Sequence, residues 1–234
     1  MQRILHLDQA LPGSSAAPSS DEPAAAPART RRAEGERTRR HLLNTAGLLL
    51  AERDFAAASA KEIARRAGTP LASVHYHFGS REGLREAVLA EAQQQLARFE
   101  ALVAAPMRAA ATPIDGVRIF LAHLLGIGHA THGPRWGLRV LAREALGGGG
   151  CATMFDLLFP LLGQLLELPR EHPRVAQAVD WVALPALAWL ASPPPVEDRW
   201  RACGERSTQA ALDDLLHCLG GALRAMGDPH RDHP

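Results

Sequence analysis

Cysteine is scarce in this chain: 234 residues hold only Cys151, Cys203 and Cys218, with no CxxC spacing. So sparse and odd a set excludes a disulfide framework and fits a reducing cytoplasm. Cys203 and Cys218 are too far apart to pair within one straight helix. Lysine is scarcer, since Lys61 stands alone among the arginines. Strand-like alternation and internal repeats are both missing, which argues against a sheet or a solenoid. The longest apolar run, 175–191, is broken by Asp180 and Pro185 and is too short for a membrane span, so no membrane partner is expected. Arg3 is followed only by ILHL before Asp8, and no secretory signal is expected. HExxH, GxSxG, a P-loop and a Gly-rich dinucleotide fingerprint are absent, so the sequence offers no common catalytic apparatus, no cofactor and no metal site.

What is present is an uneven charge. The chain carries +1 overall, yet residues 29–85 hold twelve Arg/Lys against six Asp/Glu, while 1–28 and 86–234 sum to −2 and −3. A basic block on a mildly acidic remainder suggests a polyanion-binding head on a body with another task. Residues 1–36, rich in Ala, Pro, Ser and Gly, are expected to form a disordered tail ending in the basic run RTRRAEGERTRR at 29–40. That run is either a solvated charge run or an arm reaching for phosphates or the minor groove. A head at 37–84, a helical body at 85–226 and a short tail at 227–234 follow.

Helical spacing dominates the rest, and the predicted class is all-α. Leu42, Leu43, Ala46, Leu49 and Leu50 form one stripe of a first helix over 38–53. Ser59 and Glu62 match a capping box for a second helix that ends at Gly68. Thr69 as cap and Pro70 as first residue predict a third helix running to Gly79, and Ser80 caps a fourth over 81–104. About three residues separate the second and third helices, which is helix-turn-helix spacing. Further helices are predicted over 113–132, 134–146, 151–168, 172–190 and 196–226, with kinks at Pro160 and Pro185.

In a head of this shape the third helix enters the major groove of duplex DNA. Pro70, Leu71, Ala72 and Ser73 would face the bases, reading thymine methyl groups and offering one hydroxyl. Lys61 would reach a guanine edge or a phosphate. Arg40, His75, Tyr76, His77 and Arg81 are candidate phosphate contacts, although Tyr76 and His77 could equally pack on neighbouring helices. On this reading Arg81→Ala weakens binding to every sequence and flattens its salt dependence.

The run Ser59, Ile63-Ala64, Ala67-Gly68, Ser73-Val74, His77-Phe78, Ser80, Glu82 and Leu84 resembles the DNA-binding domain of the tetracycline-repressor-like (TetR) family of bacterial regulators. His75 stands where the family usually has Tyr, Arg81 where it has Lys, and Asp54 where it often has Gly. The resemblance implies a homodimer on a pseudo-palindromic operator, and a body that binds a small effector and moves the fourth helix like a lever. Repression released by ligand is the usual outcome.

For the dimer, the last two helices offer Val175, Val179, Val182, Ala183, Ala186 and Leu190 with Trp181 and Trp189 beside them, and Ala210, Ala211, Leu215, Leu219, Ala222 and Leu223. Effector candidates are His123, Trp136, Arg139, Arg143, Met154, Phe155, Phe159 and Trp181, a set of aromatic and sulfur side chains with a few polar groups that is otherwise plain core. Residues 138–168 are weakly similar to the effector domain of regulators responding to cephalosporins and chloramphenicol. Two other readings stay open. One is an all-α metal-dependent enzyme using His123, His129 and His132, a set that no carboxylate or cysteine completes. The other is a DNA-binding protein without an effector.

Overall fold

The computed structural model describes residues 28–53, 55, 58–125, 136–147, 152–191 and 208–227, and every regular element among them is helical. Two units are distinguished, 1–36 and 37–234. Of the first, residues 28–36 are described, and they are helical: α1 (Ala28–Glu52) begins well before the expected start at 38. Arg, Ala and Glu are good helix formers, and a helix already nucleated downstream extends upstream without a second nucleation cost. The stripe Leu42, Leu43, Ala46, Leu49 and Leu50 is buried, as its spacing requires.

The turn of the head is closed by backbone. In α2 (Ala60–Arg66) the Ser59 hydroxyl accepts from the Glu62 amide at 3.1 Å. Only half of the expected capping box forms, because the Glu62 carboxylate pairs with Arg53 at 3.3 Å. Gly68 takes φ +63, and the amides of Gly68 and Thr69 donate to Arg65 O and Ala64 O, the paired bonds of a Schellman motif. Thr69 therefore closes α2 and does not cap the next helix, contrary to expectation. Pro70, with ψ 146, is the N-cap of α3 (Leu71–Phe78), and its carbonyl accepts from Ser73.

From Ser80, whose hydroxyl accepts from the Gly83 amide, α4 (Arg81–Arg108) runs on past its expected end. Leu84, Val88, Ala92, Leu96, Phe99, Val103 and Met107 are buried along one side of it. The rod packs on α5 (Pro113–Leu125) and α6 (Trp136–Leu146). A 3-10 turn (Ala152–Phe155) leads into α7 (Leu158–Leu166), so the helix expected over 151–168 is shorter. Pro160 falls in the first turn of α7, where its missing amide has no partner to lose, and the expected kink has no cause there. Pro185 does lie inside α8 (Pro173–Ala191). The last described helix is α9 (Thr208–Gly227). Phe99, Phe120 and Phe155 meet in the centre of the body at 5.4 and 5.7 Å between rings.

The face of α8 read as a dimer surface is instead core: Val175, Val179, Val182, Ala183, Ala186 and Leu190 are all buried within the chain. A helix apolar on most sides must turn one side to its own subunit, and α6 and α7 take this one. Trp181 and Leu184, 38% and 56% exposed, occupy the outward side. On α9, Leu219 is buried and Leu215, Ala210 and Ala222 are half-buried. Ala211 and Leu223 lie where side chains are not described. His129, His132, Cys151, Cys203 and the runs at 126–135 and 192–207 lie outside the described residues, as do 1–27 and 228–234. Cys218 is an exposed thiol. Among the described residues no group of three metal-binding side chains occurs, and no helix is long and apolar enough to cross a membrane.

Candidate nucleic-acid interface

Helix α3 is held by one side. Val74 is fully buried and Phe78 half-buried, spaced one turn apart, which turns the opposite side out. Pro70, Leu71, Ala72, His75 and Tyr76 are exposed, and Ser73 and His77 are half-buried at the margins. Tyr76 is 84% exposed, an unusual position for the only tyrosine of the chain. Such a side chain stabilises the fold little and is suited to a partner. The His75 ring contacts Gly79 O through Nδ1 at 3.3 Å. His77 packs its edge between Tyr76 and Phe78, with ring centres at 4.9 and 6.3 Å, so packing holds it. Lys61 and Arg40 are exposed, and so is Arg65, one turn along α2 from Lys61 and absent from the expected set.

Arg81, expected at a phosphate, is engaged within the protein here. Its Nε donates to Ala58 O at 3.1 Å, its Nη2 donates to Phe55 O, and its guanidinium lies 4.2 Å over the Phe55 ring. These donors pin the loop between α1 and α2 from the first residue of α4. The side chain is drawn inward because that loop has carbonyls no helix satisfies. Other cations of the basic block are also engaged on protein. Arg53 pairs with Glu62, Arg66 with Glu52 at 3.3 Å, and Arg85 with Glu144 at 2.7 Å.

Of the expected effector residues, only Arg143 lines either of the two cavities found among the described residues. Trp136 is 1% exposed and sits on Gly47 of α1, where any added Cβ would meet its ring at 2.3 Å. Met154 and Phe155 are buried core. Phe159 is half-buried beneath the Arg170 guanidinium at 5.6 Å, and Trp181 faces outward. His123 contacts Ile119 O, one turn back, at 2.8 Å through Nδ1. Arg139 Nε donates to Leu190 O at 3.3 Å. Arg143 donates to Ala51 O at 3.0 Å and to Ala191 O at 2.6 Å. Both arginines answer helix-end carbonyls.

Among the described residues, a cavity of about 390 Å³ lies between the end of α4, the start of α5, and α7. Met107, Leu157, Pro160 and Leu161 supply apolar wall, and Arg108, Thr112 and Gln164 supply polar groups. Small residues at Ala104, Ala110 and Ala111 leave it open, a signal invisible to a search for aromatic and charged ligands. A second space of about 190 Å³ lies between α1, α4 and α6, and Arg143 alone of the effector candidates lines it. On α4, burial and then the charge of Asp156 hold the Glu100 carboxyl above its usual 4.5.

Residues 42–88 match the family model described as bacterial regulatory proteins, tetR family. No curated protein matches the chain. Among solved structures it is similar to apo AibR, with TM-score 0.56 and 18% identity over 78% of this chain and 97% of that one. AibR in complex with isovaleryl coenzyme A and operator DNA gives TM-score 0.56 and 18% identity over 76% and 96%. The fatty acid degradation regulator FadR from Bacillus halodurans gives 0.50 and 16% over 80% and 96%. The family model thus covers the head alone, and head and body together share the fold of these structures. The similarity of 138–168 to regulators of cephalosporin and chloramphenicol response finds no support among them.

Proposed function

We propose that this chain, built on a tetR-type head, is a homodimeric transcription repressor that leaves its operator when a small effector binds the body. The observation that carries the DNA reading is the outward side of α3. Leu71, Ala72, His75 and Tyr76 stand exposed on the second helix of a helix-turn-helix, with Lys61 exposed on the first. Leu71 and Ala72 suit thymine methyl groups, Ser73 adds a hydroxyl, and Pro70 sets the approach of the helix. His75, Tyr76, Lys61 and Arg40 supply donors to bases or phosphates.

The dimer joins through α8 and α9, with the exposed Trp181 and Leu184 as its apolar contribution. Two heads then meet half-sites about one helical turn apart. The effector is a mainly apolar molecule with one or two polar groups, taken into the cavity of about 390 Å³ at Met107, Leu161, Thr112 and Gln164. AibR, of the same fold, has been seen with both isovaleryl coenzyme A and operator DNA, which supports a ligand and an operator sharing one chain here. Because the cavity borders the far end of α4, a ligand that prefers one placement of that rod shifts the heads. The protein acts in the cytoplasm, where its operator is.

DNA selection from a random pool, followed by footprinting with and without candidate acyl and aromatic ligands, tests this reading. The expected product is a near-palindrome protected in two half-sites, with protection lost on adding the effector. Recovery of no enriched sequence removes the DNA reading. Protection indifferent to every ligand leaves a DNA-binding protein without an effector.

A further inference from the structure

Three side chains of α6 hold it to α1 and the start of α4: Trp136 against Gly47, Glu144 on Arg85, and Arg143 on Ala51 O. The third differs because the same guanidinium also reaches α8. Nε donates to Ala51 O in the last turn of α1, and Nη2 donates to Ala191 O at the last residue of α8. The final carbonyls of a helix lack intrahelical partners and carry the negative end of its dipole. Neither α1 nor α8 has a basic residue in its own last turn. One cation on a third helix serves both ends, and its planar fork suits two acceptors at once.

We propose that Arg143 is a positioning residue for the DNA-binding head, transmitting movement at the end of α8 to the end of α1. A shift of the last turn of α8 away from α6 strains or breaks one arm of the bridge. The guanidinium must then follow α8 or stay with α1. Room for that choice exists, since the space of about 190 Å³ beside it is walled by Leu50, Phe55, Arg85 and Glu144 and admits a side-chain swing. A bridge between two helix ends with a second place to go is a two-state element that both α1 and α8 can bias. The proposal rests on the regulatory reading only for its effect on DNA.

Hydrogen exchange on the full chain tests it. Arg143→Gln should raise exchange about tenfold in the last turns of both α1 and α8, as expected for losing a charge-assisted bond at each. Leu190→Ala, which loosens the end of α8, should raise exchange at the end of α1 in the parent chain and add nothing there beside Arg143→Gln. Should Arg143→Gln not fold, Arg143→Lys keeps the charge without the fork and is paired with Leu190→Ala in the same way. An α1 end that ignores Leu190→Ala, or responds equally with and without Arg143, overturns the proposal. Operator affinity is read separately, and a fall of about tenfold with an unchanged salt slope is expected, because the guanidinium touches no phosphate. If the parent chain selects no DNA, the regulatory reading fails while the exchange result still decides the bridge.

Discussion

Helix α3 turns Leu71, Ala72, His75 and Tyr76 outward, whereas the body turns Trp136, Met154 and Phe155 inward. Both sets attract attention in sequence for the same reason, as aromatic, apolar or titratable side chains at sites that could hold a partner. The difference is what each helix has behind it. The eight residues of α3 are anchored by Val74 and Phe78 on one side and lie on the edge of a small head. Helix α6 lies against α1, α4 and α8, so Trp136 on its inner side is packed. An exposed large side chain on a short helix suggests a partner, while the same chemistry on an enclosed helix maintains the fold.

The largest effect that would sharpen this contrast is Trp136→Ala. Its ring fills the space over Gly47, and the loss should be about 3–5 kcal/mol in urea unfolding. A loss under about 1 kcal/mol would mean that Trp136 is not the packing element described. Next, Tyr76→Ala should leave stability within about 0.5 kcal/mol. Operator binding should fall by about 1–3 kcal/mol, measured by titration against the selected sequence. Unfolding of that variant near the parent midpoint with full operator affinity would break the contrast from the other side.

Arg81 gives a third test, smaller and inside the head. Because its donors hold Ala58 O and Phe55 O, Arg81→Ala should cost about 1–3 kcal/mol of stability and leave the salt slope of DNA binding unchanged. Lys61→Ala should do the reverse, keeping stability and reducing the slope by about one. Exchanged outcomes would return Arg81 to the phosphate role read from the sequence.

The smallest effect concerns Glu100, which burial and Asp156 push above 4.5. In the native state this carboxyl holds its proton after the unfolded chain has released it. Its contribution is therefore most favourable in acid, and it fades as pH rises from the unfolded value through the raised native one. Glu100→Gln should be more stable than the parent at neutral pH by less than about 1 kcal/mol, because the site is partly solvated. Unfolding midpoints should converge as pH falls below 4.5. An advantage that persists in acid would point to packing instead of charge.

Much of the head was legible because its signals are local. Ser59 and Ser80 cap helices three residues ahead, and Gly68 supplies the left-handed turn that closes α2. Thr69 misled, since Pro70 keeps an extended ψ of 146 and becomes the N-cap itself, which moves the start of α3 one residue on. The effector set was legible only as a list of residue types. Arg139, Arg143 and His123 offer charge and hydrogen bonding, yet each makes contact with a backbone carbonyl, and no local pattern reveals which carbonyls lack partners.

By itself the sequence determined the all-helical class, the helix-turn-helix and the side of α3 that faces away from Val74, because caps, turn residues and the 3.6-residue period act over a few positions. Tertiary structure alone decided which face of α8 is buried, where the cavities lie, and that Arg81 and Arg143 serve backbone carbonyls. Those outcomes depend on which helices meet, and the residues that meet are separated by tens of positions along the chain.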